Sequence, residues 1–184
     1  QELFKKPTLY AVFLIWILNN QFYNLPEVGD LERPKLALFL DEAHLIFSEM
    51  SNTLIKQIIQ VVKLIRSNGV GVYFISQSPS DIPDEILSQL GNKVQHVLRS
   101  YTPNDEKAIK AAANSFRTNP KFKTEDAIKE LATGEALVSF LDEKGEPSVV
   151  ERAWILPPQS SFGTITDMER DSIIKQSRIY GKYE

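Results

Sequence analysis

The sequence predicts an α/β fold: a parallel sheet flanked by helices, followed by a β-hairpin and a terminal helix. Three observations carry this. Residues 36–40 form an unbroken apolar run, and residues 70–76 form a second run rich in β-branched and aromatic side chains. Between them Ile55, Ile58, Ile59, Val62 and Ile65 recur at the i, i+3, i+4, i+7 spacing of an amphipathic helix. Strand, helix, strand in that order implies a right-handed crossover between parallel strands. After residue 133 the pattern changes to two runs, 134–141 and 148–155, around Asp142-Glu143-Lys144-Gly145, which reads as an antiparallel hairpin.

The chain's 184 residues suffice for one domain with a real core. We divide it into residues 1–133, the sheet-and-helix body, and 134–184, the hairpin and helix extension. A net charge of -3 leaves no overall basic footprint, so any nucleic-acid contact must be local. The absence of cysteine excludes disulfides and thiolate metal sites and fits a reducing cytoplasm. With only two histidines, His44 and His96, a zinc site is not expected. The one membrane-like stretch, residues 9–18, is far shorter than the roughly 20 residues that a spanning helix needs. It is expected to be a buried helix, with no membrane partner. The chain starts at Gln1 and enters a helix almost at once, which reads as a piece of a longer protein.

In chain order, Pro7 suits a first helical turn, where a missing N–H costs nothing. Leu9, Phe13, Trp16 and Ile17 follow at helical spacing, and the helix is expected to fade near Tyr23. Residues 25–35, with Pro26, Gly29 and Pro34, form a loop. The run 36–40, bounded by polar residues, suits a strand buried on both faces. Ser51 is placed to cap the next helix and Gly69 to end it. Residues 83–90 make a short helix stopped by Gly91, and residues 94–98 a third strand ending at Arg99. Thr102 and Pro103 open a helix reaching about Phe116, and Thr124 caps another to Leu131. Thr166-Asp167-Met168-Glu169 is a capping-box sequence opening a polar terminal helix.

The chemistry sits at strand ends. A buried strand cannot hide a carboxylate pair, so Asp41 and Glu42 should stand at its carboxyl end, where open α/β sheets place their ligands. This is the Walker B pattern of P-loop ATPases, with Asp41 placed to hold Mg²⁺ and Glu42 to orient and polarise a water. Gln77 leaves the neighbouring strand and is placed to sense the γ-phosphate of ATP. Arg66, closing the helix, and Arg99, closing the third strand, could each reach a phosphate across a subunit boundary. Arg66 equally suits a helix C-terminal charge and Arg99 a surface ion pair. Arg66 is the better candidate if it shares a rim with Gln77. His44 completes the letters of Asp-Glu-Ala-His RNA helicases, but their other motifs are absent, and it reads better as a helix-start residue. The chain holds no Gly-x-x-x-x-Gly-Lys-Ser/Thr loop to cradle phosphates. Either residues before Gln1 supply it, or the chain does not hydrolyse ATP.

Leu38-Phe-Leu-Asp-Glu-Ala-His-Leu-Ile-Phe47, the stretch from Leu64 through Arg66 to Gln77 and Pro79, and Leu90-Gly-Asn-Lys-Val-Gln-His-Val-Leu-Arg99 together carry a family resemblance. Thr102-Pro-Asn-Asp-Glu-Lys-Ala and the run from Gly134 to Asp142 continue it. The chain resembles the HerA/FtsK superfamily of RecA-like ATPases, and within it the bacterial HerA-like helicases of the YjgR type. The resemblance implies the C-terminal part of a RecA-like P-loop NTPase core, in a hexameric ATP-dependent DNA helicase or translocase. It also implies Asp41 on Mg²⁺, Glu42 as catalytic carboxylate and Gln77 as sensor, with Arg66 and Arg99 at basic positions of the superfamily. The alternatives are a non-catalytic oligomerisation module that keeps the fold, and a DEAH-type RNA helicase.

Overall fold

The computed structural model describes residues 6–29, 31–47 and 51–182. Helix α1 (Pro7–Asn24) leads through a loop to β1 (Leu36–Leu40) and the short α2 (His44–Phe47). Helix α3 (Asn52–Leu64) then returns to β2 (Val70–Phe74), and β1 and β2 pair in parallel, Leu36 opposite Val70 and Leu40 opposite Phe74. The strand–helix–strand unit is thus present. Ser51 caps α3 by accepting the Leu54 N–H, and a 3₁₀ turn (Ile65–Asn68) extends it to Gly69. Gly69 has φ +77, and a Cβ there would meet Val28 Cγ2 at 3.0 Å, so both backbone and space require glycine.

Leu36, Leu38, Leu40, Val70, Val72 and Phe74 point to one face of this sheet. They pack with Leu14, Ile15 and Leu18 of α1 and with Ile58, Ile59, Val61 and Ile65 beyond. The other face is open. Phe39 is 64% exposed and stacks on Tyr73, ring centroids 4.5 Å apart. The expectation of a strand buried on both faces is corrected here, because both helices of the core cover the same face of a two-stranded sheet. The reading of α1 as a buried helix needs a similar correction. Its buried stripe is Ala11, Leu14, Ile15 and Leu18, whereas Leu9, Phe13 and Trp16 are exposed. An apolar run of this kind supplies two stripes, and only one meets α3. No helix among the described residues is long and apolar enough to cross a membrane.

The second half begins after α4 (Asp84–Leu87) with β3 (Lys93–Gln95), followed by α5 (Pro103–Asn114) and α6 (Thr124–Glu130). Strands β4 (Glu135–Ser139) and β5 (Glu151–Trp154) form the expected hairpin. Its turn is held by Asp142, whose Oδ1 accepts from the N–H groups of Lys144 and Glu146. The third strand does not extend the parallel sheet. It pairs antiparallel with β4, Lys93 opposite Ser139, so the β3–β4 ladder joins residues on either side of position 133. A second core of Ile109, Phe116, Ile128, Leu131, Leu137 and Val150 lies under this three-stranded sheet. Thr124 is not a cap. It is buried at the first position of α6, and Lys123 precedes it without a side-chain capping bond. Helix α7 (Asp167–Gln176) opens on the expected Thr166–Glu169 capping box and buries no residue.

Candidate functional site

The acidic pair follows β1 directly. Ile75 N–H donates to the Leu40 carbonyl at 2.9 Å, and the Ile75 carbonyl accepts from Ala43 N–H at 2.9 Å. A regular parallel ladder would place the second bond on Glu42. Here it falls one residue later, so Asp41 and Glu42 are looped out between two anchors on Ile75. Glu42 takes φ +50, the one positive value at a non-glycine among the described residues. Its N–H turns to Asp41 Oδ1 at 2.9 Å. A left-handed non-glycine residue costs on the order of 1–3 kcal/mol, and such strain concentrates at functional sites.

Two side chains approach the same oxygen of Glu42. Gln77 Nε2 donates to Oε2 at 3.5 Å, and His44 Nδ1 lies 3.2 Å from it. The His44 nitrogen is buried and makes no hydrogen bond, so it is close to the carboxylate but not aimed along a bonding direction. Gln77 is steadied by its neighbours. Asp81 Oδ2 accepts from Ser76 Oγ at 2.7 Å and from Ser78 N–H at 3.2 Å, pinning the chain on both sides of Gln77. Asp81 was not among the sequence candidates, although Ser78-Pro79-Ser80-Asp81 carries the capping-box spacing that would have found it. Helix α5 of the second half packs against this Pro79–Asp81 turn. From α1, Tyr10 comes near Asp41: its hydroxyl pKa is raised by burial first and by the Asp41 charge second.

Magnesium demands oxygen ligands but keeps several waters, so one or two carboxylates beside nucleotide phosphates are enough to hold it. Asp41 is exposed and engages one oxygen with Glu42 N–H, which leaves the other available. No group of three or more His, Asp or Glu able to hold a metal occurs among the described residues. At this turn Asp41 is the residue that could hold a magnesium ion through an oxygen.

The structure brings Asp41, Glu42 and Gln77 together, with His44 beside them, and leaves the arginines elsewhere. Arg66 lies in the 3₁₀ turn before β2, and Lys35 N–H donates to the Gly69 carbonyl beside it. Because α3 runs back between parallel strands, its end stands at their amino edge, while Asp41, Glu42 and Gln77 follow their carboxyl edge. Arg66 therefore does not share a rim with Gln77. Arg99 donates from Nη1 to the Lys129 carbonyl at 2.8 Å, at the end of α6.

An acidic pair in a strained turn at the carboxyl edge of a parallel sheet stands where open α/β sheets bind their ligands. The chain belongs to the helicase HerA-like C-terminal family, whose model matches residues 1–184. It is 31% identical over 132 residues to the DNA double-strand break repair helicase HerA of Sulfolobus acidocaldarius, covering 71% of this chain and 25% of that protein. The protein of the same name from Sulfurisphaera tokodaii is 33% identical over 103 residues, covering 54% of this chain and 19% of that one. The chain thus spans a quarter or less of these relatives' length. Among solved structures it is similar to the DNA-packaging ATPase B204 of Sulfolobus Turreted Icosahedral Virus, at 16% identity and a TM-score of 0.48, covering 66% of this chain and 52% of that one.

Proposed function

We propose that this chain is the carboxylate-bearing part of an ATP-driven DNA helicase or translocase with a RecA-like core. Contact between Gln77 and Glu42 at the strained turn carries the reading. Asp41 holds the Mg²⁺ that accompanies ATP, and the bound ion neutralises phosphate charge. Glu42, fixed in direction by its backbone and by Gln77, orients the attacking water and accepts its proton. Gln77 links Glu42 to the γ-phosphate. Arg66 and Arg99 stand away from this chain's own carboxylates, so either serves only across a subunit boundary, in a ring of copies such as a hexamer. Relatives named as DNA repair helicases support DNA as the polymer moved and speak against the DEAH-type reading. A purely structural module would gain nothing from strain at Glu42, which favours the motor over it.

Glu42→Gln in the full-length protein is expected to lower ATP turnover by about 10²–10⁴-fold while ATP still binds. Steady-state turnover within about threefold of wild type overturns the assignment. These 184 residues contain no phosphate-cradling loop, so alone they are expected to bind ATP weakly and to turn it over undetectably.

A further inference from the structure

We infer that His44 is a positioning residue that holds the Glu42 carboxylate, an inference that rests on the hydrolytic reading of Glu42. Buried polar atoms in proteins are nearly always paired, and each exception calls for an explanation. Nδ1 of His44 is such an exception: it is buried, without a hydrogen bond, and 3.2 Å from Glu42 Oε2. The position follows from the fold. His44 is the first residue of α2, and the Ala43 N–H bond to the Ile75 carbonyl fixes the backbone immediately before it. Its ring therefore turns back over the strained turn, while Gln77 reaches the same oxygen from the β2 side. With His44 also donating to Oε2, Oε1 is the oxygen left to face a water. A small rotation of the imidazole converts the 3.2 Å approach into an N–H donation to Oε2. In that arrangement His44 is a donor to the carboxylate. It acts only through Glu42, by fixing which oxygen accepts the proton and where that oxygen points.

The two-sided grip has a reason in the backbone. A left-handed glutamate is held against its own preference, and its side chain could swing away from the reacting centre. Misplacement of a catalytic group by about 1 Å can cost on the order of 10²-fold in rate. One donor at 3.5 Å is a weak restraint, and a second donor on the same oxygen removes the remaining freedom.

Steady-state ATPase assays on the full-length protein test this. His44→Ala is expected to lower kcat by about 10- to 100-fold with KM for ATP unchanged. His44→Asn, whose amide nitrogen falls near the Nδ1 position, is expected to regain most of the loss. In the Glu42→Gln background His44→Ala is expected to change nothing further, since the two residues act as one unit. A kcat for His44→Ala within about threefold of wild type, with Glu42→Gln inactive, overturns the positioning role and leaves the hydrolytic reading standing. Asparagine no better than alanine, or equal losses accompanied by a fallen Tm, assigns His44 to packing alone and also overturns it. If Glu42→Gln retains full turnover, both readings fall.

Discussion

The two halves of the molecule treat their polar groups and their backbone differently. In the second half the polar groups around the three-stranded sheet and its helices are paired. Glu106 receives Ser100 and Lys129, Glu135 receives Arg152 and the Ala132 N–H, and buried Asn119 donates to the Val150 carbonyl while accepting from Lys121 N–H. The first half leaves features open. It exposes the Phe39–Tyr73 face and Trp16, holds Glu42 at φ +50, and keeps an unbonded nitrogen on His44. Among the described residues, the strained non-glycine backbone and the unpaired buried side-chain nitrogen both lie in the half that carries the acidic pair. Through α5 the second half packs against the turn that positions Gln77.

The largest effects test whether the halves are separate cores. Leu18→Ala in the first and Ile109→Ala in the second each truncate a fully buried side chain and are expected to cost about 2–5 kcal/mol. Amide exchange is expected to rise mainly in the half that carries the mutation. Equal loss of protection in both halves from either variant would break the comparison. Next in size is Asn68→Ala. Asn68 is buried and donates from Nδ2 to the Leu25 carbonyl at 2.6 Å, tying the loop after α1 to the end of α3. Its removal leaves that acceptor without its donor, at an expected cost of about 1–3 kcal/mol in chemical denaturation.

Much of the first half was legible because its signals are local. The five-residue strand ends where the acidic pair begins, Ser51 caps α3, and Gly69 ends it in a left-handed turn. What was not legible depends on partners distant in sequence. Nothing in residues 94–98 says whether they extend a parallel sheet or meet β4, and the choice of β4 is settled by the second core. Thr124 has a cap's chemistry, yet it is buried as the first residue of α6. The site divides the same way. Asp41, Glu42 and Gln77 announce themselves at strand ends, whereas the register shift at Ala43 that strains Glu42 is invisible in the letters. The opposite edge taken by Arg66 follows from the direction of α3, which the crossover reading already contained.

A smaller effect sharpens the claim that strain belongs to the first half. Glu42→Gly places the residue that tolerates φ +50 at the looped-out position. The relief of backbone strain exceeds the added freedom of the unfolded chain if the conformation is held by the Ile75 anchors. The expected outcome is a gain of about 1 kcal/mol, read as a higher Tm, with loss of turnover in the full-length protein. A lower Tm would mean that Glu42 stabilises its own turn, and the contrast between halves would lose its main support.

The smallest expected effect is the acid response of the second half. The Ser100 hydroxyl and then Lys129 hold the Glu106 carboxyl below its usual range, with the Lys129 and Lys110 charges adding to this. Glu135 is lowered by the Ala132 N–H first and by Arg152 second. In the unfolded chain both glutamates return to about 4.3. Their folded pKa values lie lower, so the unfolded state binds protons first as the pH falls. The stability these partners contribute is therefore present above the unfolded value and is lost as the pH drops through the folded ones. Both carboxylates are partly open to solvent, so the response is modest, and added salt should weaken the part that depends on Lys129 and Arg152. Amide exchange in α6 and β4 should accelerate below about pH 5 relative to the value expected from intrinsic exchange alone. Glu106→Gln keeps a hydrogen-bond acceptor but has no proton to gain, and should flatten that response around α6 while leaving β4 sensitive through Glu135. If α6 in the variant still loosens with acid as steeply as wild type, the Ser100–Glu106–Lys129 cluster is not the source of the acid response around α6.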